Sequence, residues 1–159
     1  MNVKGLLVAA MLMPLSAMSA AQTRDQQTEA CTGSAEDNRK VVLAFYNEGL
    51  VGLKPRAAFE RHMSPGFIEH KPDVPEGTRT AAASFLEQLI ANVPQPEWTI
   101  LRTIAEGDLV FLHARFSPAA GAPEYAIADV FKLRGCKIIE HWDVVAPPPK
   151  DQRNPNPRF

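Results

Sequence analysis

Cysteine is scarce. The 159 residues contain only Cys31 and Cys136, with no C-x-x-C pair, so neither a dithiol redox centre nor a sequence-local zinc site is encoded. The four histidines, at 62, 70, 113 and 141, include no close pair and no H-E-x-x-H, so the sequence carries no metal-ligand pattern. G-x-S-x-G, G-x-G-x-x-G and a P-loop are also missing, which removes the commonest hydrolase, dinucleotide and nucleotide signatures. Charge of one sign is lacking too: 17 Lys and Arg face 18 Asp and Glu, and a net charge of −1 leaves no electrostatic footprint for nucleic acid.

The apolar run from Gly5 to about Leu15 is too short to span a bilayer. Behind Lys4 and ahead of Ser19, Ala20 and Ala21, it has the three-part pattern of a secretory signal cleaved after Ala21. The expectation is a periplasmic or secreted protein with no stable membrane anchor. Removing 21 of 159 residues leaves 138, enough for one domain with a single core, and the loss of Lys4 takes the formal charge from −1 to −2. Outside the cytoplasm Cys31 and Cys136 could form one bridge, worth about 4 kcal/mol in the chain-entropy model, or remain as two thiols.

Residues 22–33 are polar and aperiodic and read as a flexible arm. Ser34, with Asp37 three residues on, can cap a first helix bearing Val41, Val42, Phe45 and Tyr46 on one face and closed by Gly49 and Gly52. Pro55 opens a second, with Ala58, Phe59, His62 and Met63 at helical spacing. After a Ser64-Pro65-Gly66 turn, Phe67 to His70 form a short strand before the loop KPDVPEG. Residues 80–92 carry the clearest helical periodicity, through Ala82, Phe85, Leu86, Leu89 and Ile90, and Pro94 and Pro96 stop it. Strand-like runs then cover 98–106, 109–116 and a hairpin over 125–145. Helices first and strands after argue α+β, about three N-terminal helices packed on a curved antiparallel sheet across residues 34–146. Residues 147–159, rich in proline, read as an extended tail.

The hairpin IADVFKLRGCKIIEHWDV carries the chemistry. Alternation puts Ile127, Asp129, Phe131 and Leu133 on one side, so a carboxylate enters an apolar face. With Gly135-Cys136 as the turn, Leu133 faces Ile138, Phe131 faces Glu140 and Asp129 faces Trp142. An acid removed from water beside an indole resists ionisation and suits a proton shuttle near neutral pH. The competing reading has Asp129 satisfied by a hydroxyl or by an arginine such as Arg115. Arg115 shares a side of its strand with Leu109, Phe111 and His113. By the same alternation His141 and Asp143 fall on the face opposite Trp142, as interface or helix-packing groups.

The order of elements and the strings FIEHKPDVPEG and IADVFKLRGCKIIEHWDV resemble the SnoaL-like branch of the NTF2-like superfamily, over roughly residues 36–146. That branch is named after a polyketide cyclase performing an intramolecular aldol condensation. The resemblance implies a cone-shaped barrel with a deep apolar pocket, frequent homodimers through the outer face of the sheet, and no metal or organic cofactor. It also places the cyclase's catalytic Asp at Asp129 and its pocket His at His113, while His70 matches a His typical of the branch. Arg134-Gly135-Cys136 departs from the branch's usual turn, which concerns only the hairpin tip.

Together these readings give Asp129 as base for proton abstraction next to a carbonyl, with His113 or His70 steadying the enolate oxygen. Trp142, Phe131, Phe111 and Glu140, a reserve acid, would contact the substrate. The expected partner is a small apolar or carbonyl-containing molecule, and the expected activity is cofactor-independent aldol cyclisation, isomerisation or dehydration. A non-catalytic binding module for a small apolar ligand, or a dimerising accessory domain with a collapsed pocket, are the rivals.

Overall fold

The computed structural model describes residues 31–159, so the expected signal sequence and most of the arm lie outside the described residues. The first helix, α1 (Ala35–Tyr46), is capped as its sequence requires, the Ser34 hydroxyl accepting from the Asp37 amide at 3.1 Å. The Asp37 carboxylate does not complete a capping box; it accepts instead from the Thr32 amide and hydroxyl at 2.8 and 2.6 Å. The chain winds on through a π turn (Asn47–Val51) to Gly52, where an added Cβ would lie 2.8 Å from the Glu48 carbonyl oxygen. The second helix, α2 (Pro55–His62), starts on its proline. A third, α3 (Arg79–Asn92), is capped by the Thr78 hydroxyl.

Five strands follow the helices or run between them: β1 (Met63–Glu69), β2 (Glu97–Glu106), β3 (Leu109–Ser117), β4 (Tyr125–Arg134) and β5 (Lys137–Ala146). They form one sheet in the order β1-β5-β4-β3-β2. The meander β2 to β5 is antiparallel, and β1 adds to it in parallel beside β5, so the sheet is mixed. β1 begins earlier than the turn at residues 64–66 implies. Met63 pairs with Ile138, and Ser64-Pro65-Gly66 sit in an irregularity of the ladder, where a proline without an N–H costs no bond.

The helices lie on one face of this sheet. Val42, Phe45 and Tyr46 of α1, Phe59 of α2 and Ala82 of α3 are buried against Val110, Leu112, Phe131, Leu133 and Ile138. This is the α+β arrangement the sequence leads one to expect, with its core between helices and sheet. A disulfide joins Cys31 to Cys136, tying the chain ahead of α1 to the hairpin tip. Residues 147–159 form no helix or strand, yet they do not simply extend away. Arg158 donates to the carbonyls of Glu124, Ala146 and Pro147 at 2.8, 2.8 and 2.9 Å, pinning the end of the tail beside the ends of β4 and β5.

Candidate active site

The hairpin turn sets the register from which the site is built. Gly135 and Cys136 both have positive φ, 56° and 60°, the backbone of a type I′ turn, and Leu133 faces Ile138 as alternation requires. One step further the ladder slips: Lys132 faces Glu140, leaving Ile139 as an extra residue on β5. Beyond this bulge every β5 side chain points to the opposite side from that expected of an unbroken ladder. Asp129 therefore faces Asp143, and Trp142 lies opposite Val130.

The bulge reassigns the site. Glu140 and Trp142 stand on the outer face, together with His70, whose ring stacks on Trp142 (centroids 4.5 Å apart, planes 4° apart) and lies 3.2 Å from Glu140. His70, Glu140 and Trp142 are thus neighbours of one another and not of Asp129. Phe111 and His113 are also on the outer face, because the residues of β3 that turn inward are Val110, Leu112, Ala114 and Phe116. His113 accepts a hydrogen bond from Arg102 at 2.9 Å. Arg115 is no partner of Asp129; it bonds Thr99 and Glu124 at 3.1 and 3.3 Å. Of the residues expected around the base, Asp129 and Phe131 share the interior.

What turns inward with them is a cavity of about 360 Å³, walled by aromatic and aliphatic side chains from α1, α2, α3 and the sheet, among them Phe45, Phe59, Leu89, Trp98 and Phe131. Its polar groups gather on one side: Tyr46, Glu69, Lys71, Asp129, His141 and Asp143. His141 donates through Nε2 to Asp129 Oδ1 (3.1 Å) and through Nδ1 to Glu69 Oε2 (2.8 Å), while the Lys71 amide holds Glu69 Oε1 at 2.9 Å. Burial alone would lower the pKa of this imidazole, but hydrogen bonds and charge from Asp129 and Glu69 outweigh that and hold it up at about 10. His141 is therefore an imidazolium between two carboxylates, with the Phe131 ring stacked on it at 4.7 Å.

Lys71 forms the second ion pair, its Nζ 2.8 Å from Asp143 Oδ2. Burial pulls the ammonium's pKa down, the carboxylates of Asp143 and Asp73 push it up, and the net direction is up. Two buried oxygens of the cavity, Asp129 Oδ2 and Tyr46 Oη, make no well-formed hydrogen bond, although the two side chains lie close enough to influence each other. Burial, then the negative charge and hydrogen bonding of the neighbouring Asp129, push the Tyr46 phenol well up, so it keeps its proton. An acceptor and a protonated phenol thus face the same apolar space. Among the described residues no group of three or more His, Cys, Asp and Glu side chains is arranged to hold a metal ion.

His141 and Asp143 were hidden from sequence reasoning by the bulge. Glu69 was within reach: Phe67 is an inward apolar residue of β1, and a period of two carries Glu69 inward as well. Tyr46 was visible on the apolar face of α1, and a phenol buried there needs an explanation for its hydroxyl.

Residues 42–141 match the model of the SnoaL-like domain. No curated protein matches the chain. Among solved structures, a protein assigned as a SnoaL-like polyketide cyclase from Jannaschia sp. CCS1 is 24% identical over 70% of this chain and 86% of its own, with a TM-score of 0.59. One assigned as a polyketide cyclase from Acidithiobacillus ferrooxidans is 20% identical over 69% and 87%, TM-score 0.56. AclR from Streptomyces galilaeus, assigned as a hydroxylase, is 17% identical over 70% and 80%, TM-score 0.60.

Proposed function

We propose, from the premise that the chain belongs to the SnoaL-like domain family, that it is an exported, cofactor-independent enzyme using acid/base chemistry on a small carbonyl compound. The observation that carries this reading is the pair of unpartnered oxygens in the cavity. Asp129 is 5% exposed and Tyr46 1%, and each presents one free polar atom.

In the proposed reaction Asp129 Oδ2 takes the proton from the carbon next to the substrate carbonyl. The C–H electron pair becomes the enolate double bond, and the carbonyl π pair moves onto oxygen. Tyr46 donates to that oxygen, the part first given to His113 or His70, both of which lie on the outer face. A donor aimed at developing negative charge in a dry site is worth roughly 3 to 4 kcal/mol. The enolate carbon then attacks a second carbonyl, is reprotonated elsewhere, or expels a β-hydroxyl, and Asp129 returns the proton in each case. His141 supports the step by setting its positive charge and N–H against Asp129 in apolar surroundings, and Glu69 by helping to hold His141 cationic.

In this reading the protein acts outside the cytoplasm once residues 1–21 are removed, and as a homodimer through the outer sheet face. Exposed Ile68, Ile104, Phe111 and Val144 favour the pairing. The predominantly apolar lining also favours a second reading, a module that holds a small apolar ligand without chemistry. Solvent-deuterium exchange into a panel of activated ketones separates the two. The enzyme reading expects exchange to fall by roughly 100-fold or more in Asp129→Asn, within the usual range for a general base. Equal rates for both proteins would sink it.

A further inference from the structure

The charges in the cavity do not balance. Three carboxylates, Glu69, Asp129 and Asp143, turn inward against two cations, His141 and Lys71. Asp73 also reaches Lys71, at 3.6 Å, but its side chain is 73% exposed and belongs to the solvent side. Both cations already have carboxylate partners. His141 spends its two N–H groups on Asp129 and Glu69, and Lys71 is held between Asp143 and Asp73. Counted by formal charge, the inward-facing groups leave one carboxylate more than there are cations.

That surplus has a place. Asp129 Oδ2 is buried with no well-formed hydrogen bond, and the Tyr46 hydroxyl beside it, whose proton is directed to Asp129, keeps its oxygen lone pairs free to accept on the same cavity. An ammonium group is a donor only, with more than one N–H, and complements two such oxygens. Aromatic faces of Phe45, Phe59, Trp98 and Phe131 line the rest of the space and suit both a cation and its apolar body. We infer that the cavity binds an apolar ammonium compound, which places its charged N–H groups on Asp129 Oδ2 and Tyr46 Oη and its hydrocarbon part among the aromatic rings. The inference does not rest on proton abstraction. A failed deuterium-exchange test would leave it standing, and its own failure would leave that test standing.

Three probes of matched shape test it by isothermal titration calorimetry: phenylpropylamine, benzylacetone and hydrocinnamate, which are cationic, neutral and anionic near neutral pH. Charge-assisted hydrogen bonds are about twice as strong as neutral ones, so the amine should bind about tenfold more tightly than the ketone, and the carboxylate more weakly than either. Asp129→Asn should abolish the preference for the amine. Quenching of Trp98 fluorescence in a Trp142→Phe background places the probe in the cavity, because Trp98 lines it and Trp142 does not. The wild-type series decides the matter even if the Asn variant fails to fold. An amine that binds no better than benzylacetone, or not at all, overturns the inference; so does a carboxylate that binds as well as the amine, or a preference that survives in Asp129→Asn.

Discussion

Replacing His141 with Gln would expose the energetics on which the site rests. The substitution keeps a polar side chain of similar reach but removes the positive charge between Asp129 and Glu69, whose side chains are 6% and 4% exposed. Glu69 keeps the Lys71 amide as a donor, whereas Asp129 keeps no charged partner. Removing one member of a buried ion pair costs about 3–5 kcal/mol, because the abandoned charge remains out of water. Near neutrality, His141→Gln should lose that much in urea-denaturation free energy.

The wild type has its own signature. The folded-state pKa of His141 is raised to about 10 from an ordinary 6.5, so its contribution is complete below pH 6.5 and is lost as pH rises through 10. Lys71, raised from 10.5, loses its share only at higher pH, outside that window. Wild-type stability should therefore fall between pH 6.5 and 10, and in His141→Gln this fall should be missing. A double-mutant cycle with Asp129→Asn should return a coupling of about 1–3 kcal/mol. A variant that loses less than about 1 kcal/mol, or keeps the wild-type pH slope, would refute the imidazolium bridge.

Tyr46→Phe removes a hydroxyl that makes no well-formed hydrogen bond in the protein, so thermal unfolding should place the variant within about 1 kcal/mol of wild type, while deuterium exchange into ketones falls about 100-fold or more. Cys136→Ser opens a bridge spanning 105 residues and should cost up to about 4 kcal/mol in chemical denaturation under oxidising conditions, with no difference once both proteins are fully reduced. Deleting Ile139 should remove the bulge but leave His141 facing Phe131, so the protein should stay folded, within about 2 kcal/mol of wild type, and keep the His141 imidazole signature by NMR. In an unbulged hairpin the same deletion would reverse the face of every following β5 residue, and gross unfolding would be the outcome.

That deletion isolates the step at which the sequence stops being legible. The helices could be read because capping residues and a period near 3.6 are local: Ser34 caps α1, Pro55 starts α2, and the Ala82-Phe85-Leu86-Leu89 stripe defines α3. Asp129 could be read as well, since β4 keeps strict alternation from Ile127 to Leu133 and buries the carboxylate among apolar neighbours. Its partner could not, because a strand's facing depends on how many residues separate it from the turn, and a single inserted residue inverts the answer. KIIEHW alternates acceptably in either register: one puts Glu140 and Trp142 inside, the other His141 and Asp143. What decides between them is not local. His141 turned inward finds both Asp129 and Glu69, and Glu69 sits on β1, whose residue 69 pairs with residue 141 across a parallel ladder seventy-two positions away in sequence. Turned outward, the imidazole would leave two buried carboxylates facing each other without a cation, a cost larger than the loss of one ladder position at a bulge. The electrostatics of the finished pocket therefore favour the register that builds it.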